Sequence, residues 1–170
     1  GIAGYRNTIA DQGGTLTGSM VRAGWTHTFA NGSTLDTRAY ISRDERDQPI
    51  LYESRDLLGL EAQHTLVMDE RHTVVWGGEF RHWWENFQSF NDFHFADPKT
   101  TISLGSLFIQ DEVALRPGLK LTVGLKAETN SYSGADWLPS VRLAWSPHED
   151  SVLWAAVSRA VRTKNRIERE

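Results

Sequence analysis

The chain of 170 residues is long enough for one domain with a substantial core and does not oblige two. Its net charge of −4, with 18 Lys and Arg scattered rather than gathered in one segment, gives no basic footprint for nucleic acid. Cysteine is absent, which excludes a disulfide framework and thiolate-ligated metals and suits an oxidising compartment.

The first residues, GIAGYRNTIADQGG, have neither the basic start nor the apolar stretch of a signal peptide, so the chain is either not exported or a mature or partial piece of something that is. Strands follow in chain order, each marked by alternation of apolar and polar residues and closed by a breaker. The first spans Leu16–Phe29, with Val21, Ala23, Trp25 and Phe29 on one face and Arg22, Thr26 and Thr28 on the other. Ala30-Asn31-Gly32-Ser33 turns it into Thr34–Ser42, where Leu35, Ala39 and Ile41 oppose Asp36, Arg38 and Ser42. A longer polar connection over Arg43–Glu53 leads to Ser54–Met68, which turns at Asp69-Glu70-Arg71 into His72–Phe87.

A second long connection, Asn86–Lys99, precedes Thr100–Leu115 and the turn Arg116-Pro117-Gly118. Leu119–Asn130 then sets Leu119, Leu121, Val123, Leu125 and Ala127 against Lys120, Thr122, Lys126 and Glu128. After a third connection over Ser131–Asp136 come Leu138–Ser146, the turn Pro147-His148-Glu149-Asp150 and Ser151–Arg162. About eight strands result, each antiparallel to its sequence neighbour.

Such alternation suits a soluble sandwich, whose apolar face is a core, and equally a membrane barrel, whose apolar face meets lipid. The longest apolar run, Val152–Val157, is far below the roughly 20 residues of a spanning helix. Three features favour the barrel. Most strands reach the roughly 9–11 residues a tilted strand needs to cross a bilayer, short turns alternate with long connections, and Trp25, Phe29 and Trp145 stand beside short turns. Two positions fit that reading poorly. Asp111 shares a face with Leu107, Ile109, Val113 and Leu115, which a bulge over Gln110–Glu112 would relieve, and His27 and His64 fall on the apolar face, where they would be neutral and near an edge of the band.

FIQDEVALRPGLKLTVGLKAE (residues 108–128) resembles a barrel hairpin of the TonB-dependent outer-membrane receptors, in which a strand ending in a QDE-like element turns into a strand of the form LxLTxGLKxE. LWAAVSRAVRT, Leu153–Thr163, resembles a later strand of the same family, and GWTHTFANGSTLDTRAYISRDERD, Gly24–Asp47, an earlier hairpin. The resemblance implies a fold of all-β class: an antiparallel up-and-down meander forming part of a large transmembrane β-barrel of 22 strands, not closed on itself. It implies a wall segment of a Gram-negative outer-membrane receptor that imports a scarce ligand such as a siderophore-like metal chelate. It further implies contact with outer-membrane lipid, with the protein's own plug domain and remaining strands, and indirectly with the TonB energy-coupling complex. Residues 1–170 read as a mid-barrel piece, since no plug-like segment, TonB-box-like start or terminal aromatic strand is recognisable. No cofactor and no enzymatic activity are expected. The alternatives are a soluble β-barrel or sandwich binding a small ligand, and an outer-membrane barrel enzyme, for which no converging acid, base and nucleophile are seen.

Candidate site residues fall in two groups. HWWENFQSFNDFHF, His82–Phe95, places Trp83, Trp84, Phe87, Phe90, Phe93 and His94, with Tyr132, at an outer mouth where aromatics could stack on a flat or conjugated ligand; an aromatic girdle with loop packing would leave the same mark. The lumen- and plug-facing wall is expected to hold Arg22, Arg38, Glu79, Arg81, Lys126, Glu128, Arg142, Ser158 and Arg162, with Asp36. That many charges would crowd a closed eight-stranded barrel, so open edges are expected near Val21 and Val157. His72, His82 and His94 with Asp92 and Asp97 have no metal-motif spacing, Asp111 and Glu112 point to opposite faces, and Ser158 sits in a regular strand rather than on a nucleophile elbow.

Overall fold

The computed structural model describes residues 1–11, 13–49, 51–89, 98–131, 134–148 and 150–161. Among them the backbone forms nine strands: β1 Ile2–Asp11, β2 Gly14–Thr28, β3 Thr34–Gln48, β4 Leu51–Val67, β5 His72–Ser89, β6 Lys99–Arg116, β7 Leu119–Asn130, β8 Gly134–His148 and β9 Ser151–Ser158. They make one antiparallel sheet in strict sequence order, β1 to β9, with no pairing between first and last strands. The up-and-down, unclosed meander expected from the sequence is therefore present, and no described residue is helical.

Four local expectations are corrected. Residues 2–11, which carry no apolar alternation, form β1 and pair with β2 from Ile2↔Ala23 to Asp11↔Gly14, so the open edge lies at β1 and not at the strand of Val21. Arg43–Glu53 is a continuous ribbon rather than a long connection: Arg43↔Asp56 through Gln48↔Leu51 are paired. The connection expected over Ser131–Asp136 likewise shortens, because β8 already begins at Gly134. Over Arg43–Gln48 the alternation lapses because charged and polar residues occupy both faces, although the backbone ladder continues. Finally, Gln110–Glu112 contains no bulge. The register runs evenly there and shifts only between Ala114 and Arg116.

The turns at the other end are set by their residues. Gly32 takes φ +80° and Gly118 φ +74°, left-handed conformations that favour glycine. Asn31 Oδ1 accepts from Ser33 N at 3.0 Å and from Ser33 Oγ at 2.8 Å. Asp69 Oδ1 accepts backbone N–H bonds from Arg71 at 2.8 Å and His72 at 2.7 Å. Those bonds favour the carboxylate and hold its pKa below the usual range. A depressed folded pKa means the stabilisation is present above the unfolded carboxylate pKa and is lost as pH falls through the folded one. Asp69→Ala should thus lower the melting temperature of the complete protein at neutral pH, and the gap to wild type should shrink on acidification; a gap that persists unchanged at low pH would show that the carboxylate is not the cause.

One face of the sheet carries an apolar band that crosses the strands. Val21, Ile41, Leu58, Leu60, Trp76, Phe80, Leu107, Ile109, Val123, Leu125, Val141 and Leu143 share it by register. Among the described residues nothing covers it: no hydrophobic side chain is buried, and Leu107 is 70% exposed. A soluble sandwich would need a second sheet across this face, and the described residues form only one sheet.

Two rows of aromatics bracket that face. Near the short turns, Trp25, His27, Phe29, His64 and Trp76 form a chain of ring contacts with centroids 4.6–5.7 Å apart. Near the opposite end stand Phe80, His82 and Trp84, with Trp137 on β8. Trp76 and Trp84 are eight residues apart on β5, as are Trp137 and Trp145 on β8. The rows also measure the strand tilt. Following the ladder from Trp25 through Thr37, Ala62, Gly78, Leu107 and Ala127 leads to Trp137, eight residues short of Trp145, the β8 member of Trp25's own row. With Trp25 and Trp145 set at one height, that offset corresponds, at about 3.4 Å per residue and about 4.8 Å per strand step, to a tilt of about 43° and sets the rows about 20 Å apart. Both are what a transmembrane barrel wall requires: strands tilted about 35–45° and an apolar band about 25 Å tall.

Candidate functional site

The opposite face is charged and hydroxylated, because the alternate residues of the same strands point there. One ladder line reads Arg38, Glu61, Glu79, Ser106, Glu128 and Asp136, with Arg81 and Lys126 one step away along their strands. Opposite charges pair locally: Arg38 with Glu61 at 3.7 Å, Arg81 with Glu79 at 3.1 Å, Lys126 with Glu128 at 2.8 Å and Arg55 with Glu85 at 2.8 Å. Thr26 donates to Asp36 at 2.6 Å. Half-exposed pairs of this kind add little stability each. What they make is a polar surface of mixed sign. Arg22, Arg142 and Ser158 lie exposed on the same face, and Arg162 lies outside the described residues.

Tyr40 is the bulky member of this face. It stands opposite Gly59 on β4, and a Cβ on Gly59 would run into the Tyr40 ring. Phe108 lies over Gly77 in the same way, its Cε1 3.0 Å from where a Cβ would sit. A glycine that gives its place to a neighbouring aromatic keeps the wall smooth and its strand covered.

The aromatic cluster is divided between the two faces. Trp83 is on the charged face beside Leu57 and Ile102, forming an apolar patch with Leu104 above Tyr40 and Arg81. Trp84, the next residue, is on the apolar face between Asp56 and Thr101 and is 46% exposed. Adjacent residues of a strand cannot share a face, so the two tryptophans cannot act on one ligand. Phe87 has the parity of Trp83, and its N–H donates to Pro98 O at 2.8 Å. Phe90, Phe93, His94 and Tyr132 lie outside the described residues. Leu57, Tyr40 and Glu61, which sequence reading did not single out, would have emerged from strand parity alone.

The histidines take other roles. His82 sits on the apolar face with Nδ1 2.7 Å from Ser103 Oγ. His72 Nδ1 lies 2.8 Å from Asp111 Oδ2, which is how that carboxyl is tolerated among apolar neighbours without a bulge. No group of three His, Asp or Glu side chains arranged to hold a metal is found among the described residues.

Residues 2–166 match the family model described as TonB dependent receptor-like, beta-barrel. The chain belongs to that family. Its fold is similar to the siderophore receptor PirA from Pseudomonas aeruginosa (TM-score 0.75, 18% identity, 97% of this chain and 34% of that one). It is similar also to the P. aeruginosa ferric enterobactin receptor PfeA solved with enterobactin (TM-score 0.76, 18% identity, 90% and 26%). A third likeness is to the FrpB iron transporter from Neisseria meningitidis (TM-score 0.71, 16% identity, 85% and 28%). In sequence, 68 residues are 32% identical to the ferric enterobactin receptor PirA of P. aeruginosa, covering 40% of this chain and 9% of that protein. The chain thus spans about a third or less of the length of the relatives it matches. Those relatives are named as receptors or as an iron transporter, and the low structural identities establish the fold alone.

Proposed function

We infer that this chain is a wall segment of an outer-membrane TonB-dependent receptor that binds and imports an iron chelate of the siderophore type. The apolar face meets outer-membrane lipid; the charged face lines a wetted lumen and packs on a plug domain, whose movement is driven through the TonB complex. The observation that carries this reading is the uncovered apolar face, bracketed by two aromatic rows and backed by a wall of paired charges. Arg22, Arg38, Glu79, Arg81, Lys126, Glu128, Arg142, Ser158 and Arg162 belong to that wall. The relatives named for ferric enterobactin support a chelate as the cargo.

Within this reading Trp83, with Leu57 and Ile102, is the part of the aromatic cluster that a ligand can reach from the lumen. Phe87 has the same parity, and Phe90, Phe93, His94 and Tyr132 extend the proposal to the mouth. The test is uptake of radioiron by iron-starved cells expressing the complete receptor, with ferric catecholate and ferric hydroxamate chelates supplied in turn. Deleting the receptor gene should abolish uptake of one chelate class. Trp83→Ala should weaken apparent affinity about tenfold, as loss of one stacking aromatic worth roughly 1.4 kcal/mol does, whereas Trp84→Ala should leave uptake unchanged. Undiminished uptake of every chelate after gene deletion would remove the import reading.

A further inference from the structure

On the apolar side, just above the upper aromatic row, the sheet carries a polar pocket of about 400 Å³. Two ladder rows build it: Asp56, Trp84 and Thr101, then Ser54, Asn86 and Lys99. An indole 46% exposed is thus bordered by the hydroxyl residues Ser54 and Thr101, the Asn86 carboxamide, the Asp56 carboxylate and the Lys99 ammonium, with Glu85 and Thr100 of the intervening row completing the lining. This pocket faces away from the charged wall and has no part in a lumenal site.

A second, apolar groove of about 380 Å³ adjoins it and shares Asp56 and Trp84 as lining. The groove descends between Val21, Ile41 and Leu58, side chains of the apolar face. Arg43 stands at the junction, 3.6 Å from Asp56 and 2.7 Å from Glu45. The two compartments together have the form of one amphipathic molecule lying across the boundary of the band. A flat apolar ring face with hydroxyl-binding groups at its rim suits a sugar, since a pyranose has C–H faces for the indole and O–H groups at its edge. Charges of both signs line the pocket, Asp56 and Glu85 against Lys99, with Arg55 2.8 Å from Glu85 and Arg43 3.6 Å from Asp56, a near-balance that suits an uncharged headgroup.

We propose that this face holds a glycolipid: its sugar stacks on Trp84 and hydrogen-bonds Ser54, Asp56 and Thr101, while an acyl chain follows Val21, Ile41 and Leu58. The site rests on the reading that the apolar face meets lipid, and it adds a headgroup preference that the reading does not contain. Headgroup and chain contribute together. A free sugar, which lacks the acyl chain's apolar burial, binds far more weakly than the lipid.

The complete receptor, purified in detergent, is mixed with monoglucosyl diacylglycerol or with phosphatidylethanolamine of the same chains, and retained lipid is counted by native mass spectrometry. Wild type should retain the glucosyl lipid at least about fivefold over phosphatidylethanolamine. Trp84→Ala should lower that retention about tenfold, a change of roughly 1.4 kcal/mol. Thr101→Val, a milder surface change, should lower it by a smaller factor, and Trp83→Ala on the opposite face should leave it unchanged. Free glucose in millimolar excess should not displace the lipid. Equal retention of the two lipids by wild type, indifference to both Trp84→Ala and Thr101→Val, or displacement by free glucose would each overturn the glycolipid site. Labelling the same sample with a bilayer-partitioning carbene reagent separates the two levels: labelled Val123 and Leu125 with no headgroup preference sinks the glycolipid site alone, whereas unlabelled residues there sink the lipid-facing reading itself.

Discussion

Val141→Arg will cost about 2–4 kcal/mol, the penalty for a guanidinium at the middle of a lipid-facing barrel band. Val141 lies midway between Trp137 and Trp145, with Val123 and Val157 as its direct neighbours across β7 and β9. It is 45% exposed in the isolated wall, so the penalty cannot come from overpacking a core. It comes from placing a charge among apolar side chains whose surroundings cannot solvate it. Ala144→Arg is the control, because Ala144 faces the charged side with Arg142 and Ser140 and meets water there. That change should fall within about 0.5 kcal/mol of wild type, as surface substitutions usually do. The measurement is the folded fraction of the complete receptor after refolding into vesicles, read as a function of urea. Equal behaviour of the two variants would mean that both faces meet the same solvent, and the assignment of the apolar face to lipid would be wrong.

Gly59→Leu is expected to be among the most damaging single changes on the charged face. The Tyr40 ring occupies the space a Cβ at Gly59 would need, and Gly59 is buried beneath it. A branched side chain must therefore expel the ring or part β3 from β4. Inserting bulk into a filled site costs about 1–3 kcal/mol, and here the displaced group is a whole aromatic. The cause is checked by a second change: Tyr40→Ala in the Gly59→Leu background should restore most of the loss, because the two residues compete for one place. A double variant no better than the single one would show that the backbone at Gly59, not the ring, sets the requirement.

The reach of sequence reading follows from what each signal depends on. Leu121, Val123 and Leu125 against Lys120, Thr122 and Lys126 announce a strand with two unlike faces, since side chains alternate in any extended backbone. Asn31-Gly32 and Pro117-Gly118 announce their turns because few other residues adopt the dihedrals those turns need. These are local causes, so a local reading finds them. The 2–11 strand and the Arg43–Gln48 ribbon were invisible to it. Neither has an apolar face, and each is held by hydrogen bonds to a neighbouring strand, as in Tyr5↔Met20 and Arg46↔Glu53.

Two features of the sites needed the folded sheet for the same reason. Asp111 finds His72 from 39 residues away, a partner that strand register alone supplies, so a bulge was the remedy a single strand could offer. Trp83 and Trp84 both fall in the strand expected over His72–Phe87, so parity already separates them; the ladder from Glu85↔Thr100 down to His72↔Val113 supplies their neighbours, Leu57 and Ile102 for Trp83, Asp56 and Thr101 for Trp84. By itself, the sequence determined strand, turn and which residues share a face, because alternation and turn dihedrals are properties of neighbouring residues. Tertiary structure decided where the strands end, the tilt of about 43° that the aromatic rows trace, and which distant residues meet, because these depend on the register between strands, and register is set by all the ladder bonds together.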